Sequence, residues 1–146
     1  SFEFFIIKAM VKKIVVIDDD DIFIFLARNT LMKLNPQLDF QSFADGERAL
    51  NYFKEKSVLE EDMPEIILLD INMPYLDGWG FMNEFNKIML NINKKVLVYI
   101  ASSSNSKSDY DKAFNLQGIA GYVVKPIVKT NFKNLIESYP EPYLSN

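Results

Sequence analysis

Histidine and cysteine are both absent from the 146 residues. Without thiols there are no disulfides, no thiolate zinc sites and no thiol nucleophiles. Without imidazole there is no Ser-His-Asp or Cys-His catalysis, no His-Glu-x-x-His metalloprotease site and no imidazole metal centre. The chemistry of the chain therefore falls to carboxylates, hydroxyls, amides and lysine, and a metal held by such groups is a hard cation such as magnesium. Long apolar runs are missing too. Those around Glu65–Leu69 fall far short of the ~20 residues that cross a bilayer, so no membrane partner is expected. Basic charge is scarce: 16 Lys and Arg stand against 20 Asp and Glu, with a net charge of −4 and a pI of about 4.9. No basic stripe is available to neutralise phosphates, which argues against nucleic acid as a partner.

What is plentiful is apolar surface. Hydrophobic residues make up 49% of the chain, enough for the core of one domain. Residues 1–11 have no basic start and no small-residue cleavage site, so they read as an N-terminal tail and not as a signal peptide. Residues 12–138 read as the domain and 139–146 as a C-terminal tail too short for an output domain. The expected compartment is the cytoplasm.

Along the domain, apolar runs alternate with helical patterns. Lys13–Ile17 is a β-branched run that stops at Asp18–Asp21, and a run apolar on both faces suits a central parallel strand. Ile22 to Leu34 follows as a helix, with Ile22, Phe25, Leu26, Leu31 and Leu34 near helical spacing and aspartates as caps. Leu38–Phe43 alternates and reads as a more peripheral strand. A second helix starts at Ala44–Glu47, with Ala49, Leu50 and Phe53 on one face. Glu65–Leu69 is a buried strand ending on Asp70, and the helix from about Trp79 to Leu90 buries Trp79, Met82, Phe85, Ile88 and Met89. Val96–Ala101 is a fourth strand, followed by a helix around Asp109–Leu116. Ile119–Val124 is a fifth strand, and Asn131–Ser138 a closing helix.

Five β-α units predict an α/β fold: a doubly wound, five-stranded parallel sheet with helices on both faces. In such sheets ligands sit beyond the carboxyl ends of the strands. Asp18–Asp21, Asp70–Asn72, Ser102–Ser104 and Lys125 all fall there, on one rim. Several carboxylates gathered in a few ångströms repel one another and raise their own pKa values unless a cation neutralises them. A carboxylate nucleophile, a hard metal, a hydroxyl and an ammonium are together the parts of a phosphoryl-transfer site.

These residues resemble a family. The stretch IILLDINMPYLDGWGF (Ile66–Phe81) is similar to the phosphoacceptor strand and loop of the response-regulator receiver domain, the CheY-like family. The resemblance extends to VVIDDDD (Val15–Asp21), VYIASSSNSKSD (Val98–Asp109) and GYVVKPI (Gly121–Ile127), from roughly Lys12 to Ser138. It implies that Asp70 is the phosphoacceptor. It implies that Asp19, Asp70 and the backbone carbonyl of Asn72 bind Mg2+, with Asp18 acting through water. It implies that Lys125 binds the phosphoryl group, that Ser102 or Ser103 is the switch hydroxyl, and that Tyr122 is the aromatic switch. A contact between that hydroxyl and a phosphoryl oxygen would open space into which Tyr122 swings. Gly78 is structural, and the Lys125–Pro126 bond is expected to be cis.

The implied role is a signalling switch without turnover of an external substrate. It would be phosphorylated by a histidine kinase or histidine phosphotransfer protein, and read by a downstream protein through the face of helix 4, strand 5 and helix 5. Other readings compete. A magnesium-dependent phosphohydrolase of the haloacid-dehalogenase type would use Asp18 and Asp20 as its D-x-D pair, but leaves Asp70 and Asp77-Gly78 unexplained. A flavin binder of the same topology would have to seat a phosphate on four aspartates. A receiver-shaped module that is never phosphorylated would have no use for the acceptor-site groups, all of which are present.

Overall fold

The apolar runs Lys13–Ile17, Ile66–Leu69, Leu97–Ser102 and Ile119–Val124 become strands, and each amphipathic segment a helix, in a computed structural model that describes residues 10–143. The order is β1 (Lys13–Ile17), α1 (Asp21–Leu34), β2 (Asp39–Phe43), α2 (Gly46–Lys56), β3 (Ile66–Leu69), α3 (Gly78–Met89), β4 (Leu97–Ser102), α4 (Lys107–Phe114), β5 (Ile119–Val124) and α5 (Lys129–Ser138). A short 3₁₀ turn, Glu60–Asp62, precedes β3. All strand pairs are parallel and the order is β2-β1-β3-β4-β5, the α/β architecture expected from the alternation. The order reverses between β1 and β3, so the loops leaving those two strands part to opposite sides and open a crevice at their carboxyl ends.

Burial on both sides explains why the central strands read as continuous apolar runs. Ile14 and Val16 of β1, with Ile66 and Leu68 of β3, pack against Phe23, Ala27, Leu31 and Leu34 of α1 and Phe132, Leu135 and Ile136 of α5. The alternate residues Val15, Ile17, Ile67 and Leu69 face Ala49, Leu50 and Phe53 of α2, Phe81, Met82 and Phe85 of α3, and Ala113 of α4. At about 1.5–3 kcal/mol for each such side chain fully removed from water, these two layers supply most of the driving force for folding.

One face of α1 differs from the expected one. Ile22, Phe25 and Leu26 are 72%, 61% and 56% exposed, while Phe23 and Ala27 join Leu31 and Leu34 on the sheet. The reason is local. Ile22 to Leu26 are five apolar residues in a row, so spacing alone does not select a face. The choice is made by the Asp20 cap, whose carboxylate accepts from the N–H groups of Ile22 and Phe23 and sets the helix entry. On α3, Trp79, Ile88 and Met89 are half-buried around the fully buried Phe81, Met82 and Phe85.

Two polar devices brace the end of the sheet opposite the crevice. Glu65, buried just before β3, accepts from the N–H groups of Lys12 and Lys13 at 2.6 and 2.7 Å and pairs with Lys94 at 2.6 Å, tying the starts of β1, β3 and β4 together. Past α5 the chain stays on the domain. The Tyr139 hydroxyl donates to the Lys95 carbonyl at 2.8 Å, and the Tyr143 N–H donates to the Tyr99 hydroxyl at 2.7 Å. Gly121 makes room for that strap: a Cβ there would lie 2.6 Å from the Tyr143 carbonyl oxygen. At the other end Val11 is already part of the core; the rest of the N-terminal tail, 1–9, lies outside the described residues.

Candidate functional site

The crevice is built from the ends of four strands. β1 delivers Asp18 and Asp19, and β3 delivers Asp70. One carboxylate oxygen from each of the three lies within 4.8 Å of the others; Asp18 and Asp70 are buried and Asp19 is exposed. Among the described residues this is the acidic cluster able to hold a metal. Asp20 does not join it, because its carboxylate is spent capping α1. The D-x-D reading through Asp18 and Asp20 therefore lacks its second carboxylate.

Backbone and cation hold the buried acids in place. Asp18 accepts from the Asp20 N–H at 2.9 Å and from Lys125 Nζ at 2.6 Å. Asp70 accepts from the Asn72 N–H at 3.2 Å. Lys125 reaches across from the end of β5 with its ammonium 4.3 Å above the centre of the Phe23 ring. That cation–π contact gives the stem an apolar rest and limits where the charge can go. Burial pushes the Asp18 carboxyl up from 3.8 to about 6; the hydrogen bonds from Lys125 and the Asp20 N–H oppose this, and the Asp70 charge adds to it. Burial likewise raises Asp70, against the Asn72 hydrogen bond and the Lys125 charge. Buried Asp18 and Asp70 beside exposed Asp19 form an acidic cluster whose carboxylate charge, disfavoured by burial, a divalent cation would neutralise.

The loop after Asp70 must pass close to α3. Asp77 caps α3 through the Gly80 N–H at 2.9 Å. At Gly78 a Cβ would lie 2.7 Å from the Asp70 carbonyl oxygen and 2.8 Å from the Ile71 Cα. Both are backbone atoms of the acceptor loop, so glycine at 78 is a steric requirement, while Asp77 beside it serves as the helix cap. Between them and Asp70, Tyr75 takes a left-handed φ of 67° and is fully exposed.

The β4 end contributes the serines. Ser102 is completely buried and its carbonyl accepts from the Lys125 N–H at 2.8 Å, so the hydroxyl and the lysine stand at paired strand ends. Ser103 is exposed. The Ser102 hydroxyl accepts from the Ser104 N–H at 3.1 Å. Tyr122 is 2% exposed: its ring already points inward, 5.8 Å from the Tyr110 ring centre, with its hydroxyl donating to the Ser104 carbonyl at 2.8 Å. The space expected to open for it is thus filled in this structure, because the phenol finds a carbonyl acceptor there. The Lys125–Pro126 peptide is cis.

Phe23 and Ser104 were not singled out from the sequence for these roles. Phe23 carries no signal separating it from its apolar neighbours. For Ser104 the signal is slight: serines at every second position, 102, 104 and 106, on the way into α4.

A parallel sheet with its order reversal between β1 and β3, three carboxylates in the crevice and a lysine at the end of β5 define a doubly wound α/β domain with an acidic, lysine-flanked crevice at its switch point. The response regulator receiver domain model matches residues 14–137, and the chain belongs to that family of two-component signalling domains. A two-component response regulator from Cytophaga hutchinsonii is 32% identical, with a TM-score of 0.75 over 86% of this chain and 93% of that one. The probable transcriptional regulator ycf27 of Porphyridium aerugineum is 31% identical over 87% of this chain, and that of Guillardia theta is 35% identical over 57%. This chain spans 47% and 28% of their lengths, respectively. The receiver domain of the histidine kinase CKI1 from Arabidopsis thaliana, solved with Mg2+ and BeF3−, is 20% identical with a TM-score of 0.73 over 87% of this chain and 90% of that one, a likeness of fold. Among the described residues no helix is long and apolar enough to cross a membrane.

Proposed function

We propose that the chain is a magnesium-dependent phosphoacceptor switch, phosphorylated on Asp70 by a histidine kinase or histidine phosphotransfer protein and read out by protein contact in the cytoplasm. The observation that carries this reading is the gathering of Asp18, Asp19 and Asp70 within 4.8 Å, with the Lys125 ammonium 2.6 Å from Asp18. Because the 146 residues contain no histidine, the phosphohistidine belongs to the donor.

An Asp70 carboxylate oxygen forms the new O–P bond while the donor's N–P bond breaks. The leaving imidazole nitrogen keeps the electron pair and takes a proton from solvent. The residues fit a magnesium ion: three hard carboxylates, of which exposed Asp19 leaves room for the waters that magnesium keeps. Asp19, Asp70 and the Asn72 carbonyl would hold it, with Asp18 acting through water. When bound, the ion neutralises the equatorial phosphoryl oxygens. Lys125, held at the mouth by Phe23 and Asp18, adds a second positive charge for the same oxygens. Ser102 donates its hydroxyl to one of them, and its neighbour Ser103 is the control for that role.

Output runs through α4, β5 and α5. A cleft of about 440 Å³ there is lined by Ser106, Lys107, Tyr110, Tyr122 and Val124. The phosphoryl group shifts the population toward the inward Tyr122 only through contacts it makes in that state. The domain acts as a signalling module and not as a turnover enzyme.

The test is intact-mass measurement after acetyl phosphate and magnesium. The chain should gain one phosphoryl group, and neither Asp70→Asn nor the chain with the metal chelated should gain it. Labelling of Asp70→Asn at the unmodified rate would refute the assignment.

A further inference from the structure

Ser104 lies outside the acceptor site, yet its atoms meet three parts of the molecule at once. Its N–H donates to the Ser102 hydroxyl at 3.1 Å, and its carbonyl receives the Tyr122 hydroxyl at 2.8 Å. Its own hydroxyl donates to the Asp109 carboxylate at 2.6 Å, in the first turn of α4. Asp109 in turn gives its N–H to the Ser106 hydroxyl at 3.1 Å, the cap of that helix. The carboxylate thus reaches back past the cap to hold the loop by one short, charge-assisted bond. α4 has only eight residues and one fully buried side chain, Ala113, so its position depends on such ties.

We propose that Ser104 is a positioning residue. Its hydroxyl, anchored on Asp109, holds the loop so that its carbonyl stands where the Tyr122 hydroxyl can reach it, and so couples Ser102 to the α4–β5 face. This inference rests on the phosphoacceptor reading for what the coupling transmits. The substitution Ser104→Ala leaves the carbonyl in the chain, so any effect on Tyr122 must come through placement of the loop.

The test is nitration by tetranitromethane, mapped by peptide mass. Fully exposed Tyr75 serves as the internal reference for buried Tyr122. In Ser104→Ala the Tyr122 rate should rise about two- to tenfold relative to Tyr75, the change in an opening equilibrium expected from losing one hydrogen bond. Ser104→Thr, which keeps the hydroxyl, should restore protection. Asp109→Ala should give most of the Ser104→Ala rise, the remainder coming from the Ser106 N–H that the Ser104 hydroxyl also accepts at 3.3 Å. The double variant should not exceed Ser104→Ala, because both single variants break the same Ser104–Asp109 bond. Multiplying effects would overturn the proposal, as would unchanged Tyr122 protection in both single variants.

Beryllofluoride with magnesium then separates the two readings. In the unmodified chain it should give a bound fluorine signal and slow Tyr122 nitration further. In Ser104→Ala the signal should remain while the slowing is lost. No bound signal in the unmodified chain refutes the phosphoacceptor reading, and the coupling with it. A signal there with full slowing in Ser104→Ala overturns the role of Ser104 alone.

Discussion

Acidification should stabilise this domain before it harms it. Burial raises the Asp18 carboxyl from 3.8 to about 6 and moves Asp70 in the same direction. A raised carboxyl binds its proton more tightly in the native than in the unfolded chain. Its contribution is therefore fully present below the unfolded value and is lost as pH rises through the native one. At about 1.4 kcal/mol per pH unit, the Asp18 displacement amounts to about 3 kcal/mol lost between about pH 4 and pH 6. Moving from about pH 7 to about pH 5 should recover about 1.4 kcal/mol of this from Asp18 alone. Trp79 is the single tryptophan and sits half-buried on α3, so its fluorescence can follow urea unfolding in metal-free buffer. With an ordinary urea dependence for a small protein, the midpoint should rise by about 0.5–1 M at the lower pH. The double variant Asp18→Asn/Asp70→Asn should show no such rise. A midpoint that falls from pH 7 to pH 5, or a rise that persists in the double variant, would show that burial of these two acids is not what limits stability at neutral pH.

Gly78→Ala should cost about 1–3 kcal/mol in the same urea experiment, because the new methyl meets two backbone atoms of the Asp70–Ile71 segment; a variant as stable as the parent would show that the acceptor loop yields easily. Lys125→Ala should slow labelling by acetyl phosphate roughly hundredfold, as expected for losing one preorganised charge at a transferring group. It should retain magnesium binding by calorimetry, and lost metal affinity would contradict the role given to the lysine. Phe23→Ala should cost about 3 kcal/mol or more, and exposed Phe25→Ser about 0.5 kcal/mol or less; equal losses would mean that α1 presents a different face to the sheet.

The sequence by itself determined the architecture and the location of the site. Short apolar runs such as Val15–Ile17 and Ile66–Leu69, each closed by an aspartate and followed by a helical pattern, read as strands covered on both sides, and their alternation with helices leaves a parallel sheet. Once the sheet is parallel, every residue that follows a strand lies on one rim, so Asp18, Asp70, Ser102 and Lys125 had to come together. Gly78 was legible as part of the Asp-Gly motif, though its clash with the Asp70 carbonyl is visible only in space. Tertiary structure decided what period and spacing leave degenerate. It chose which side of the apolar stretch Ile22–Leu26 faces the sheet, since a run apolar all round has no preferred stripe. It separated Asp18 and Asp19 from Asp20 by using the last as a helix cap. It turned Tyr122 inward onto the Ser104 carbonyl, and it bound Tyr139–Tyr143, which reads as a tail, to Tyr99 and Lys95. Each of these outcomes depends on a partner 18 or 44 residues away, or on competition between neighbours for one hydrogen bond. Local sequence holds no record of such choices because the energies that make them exist only after the sheet has brought the partners within reach.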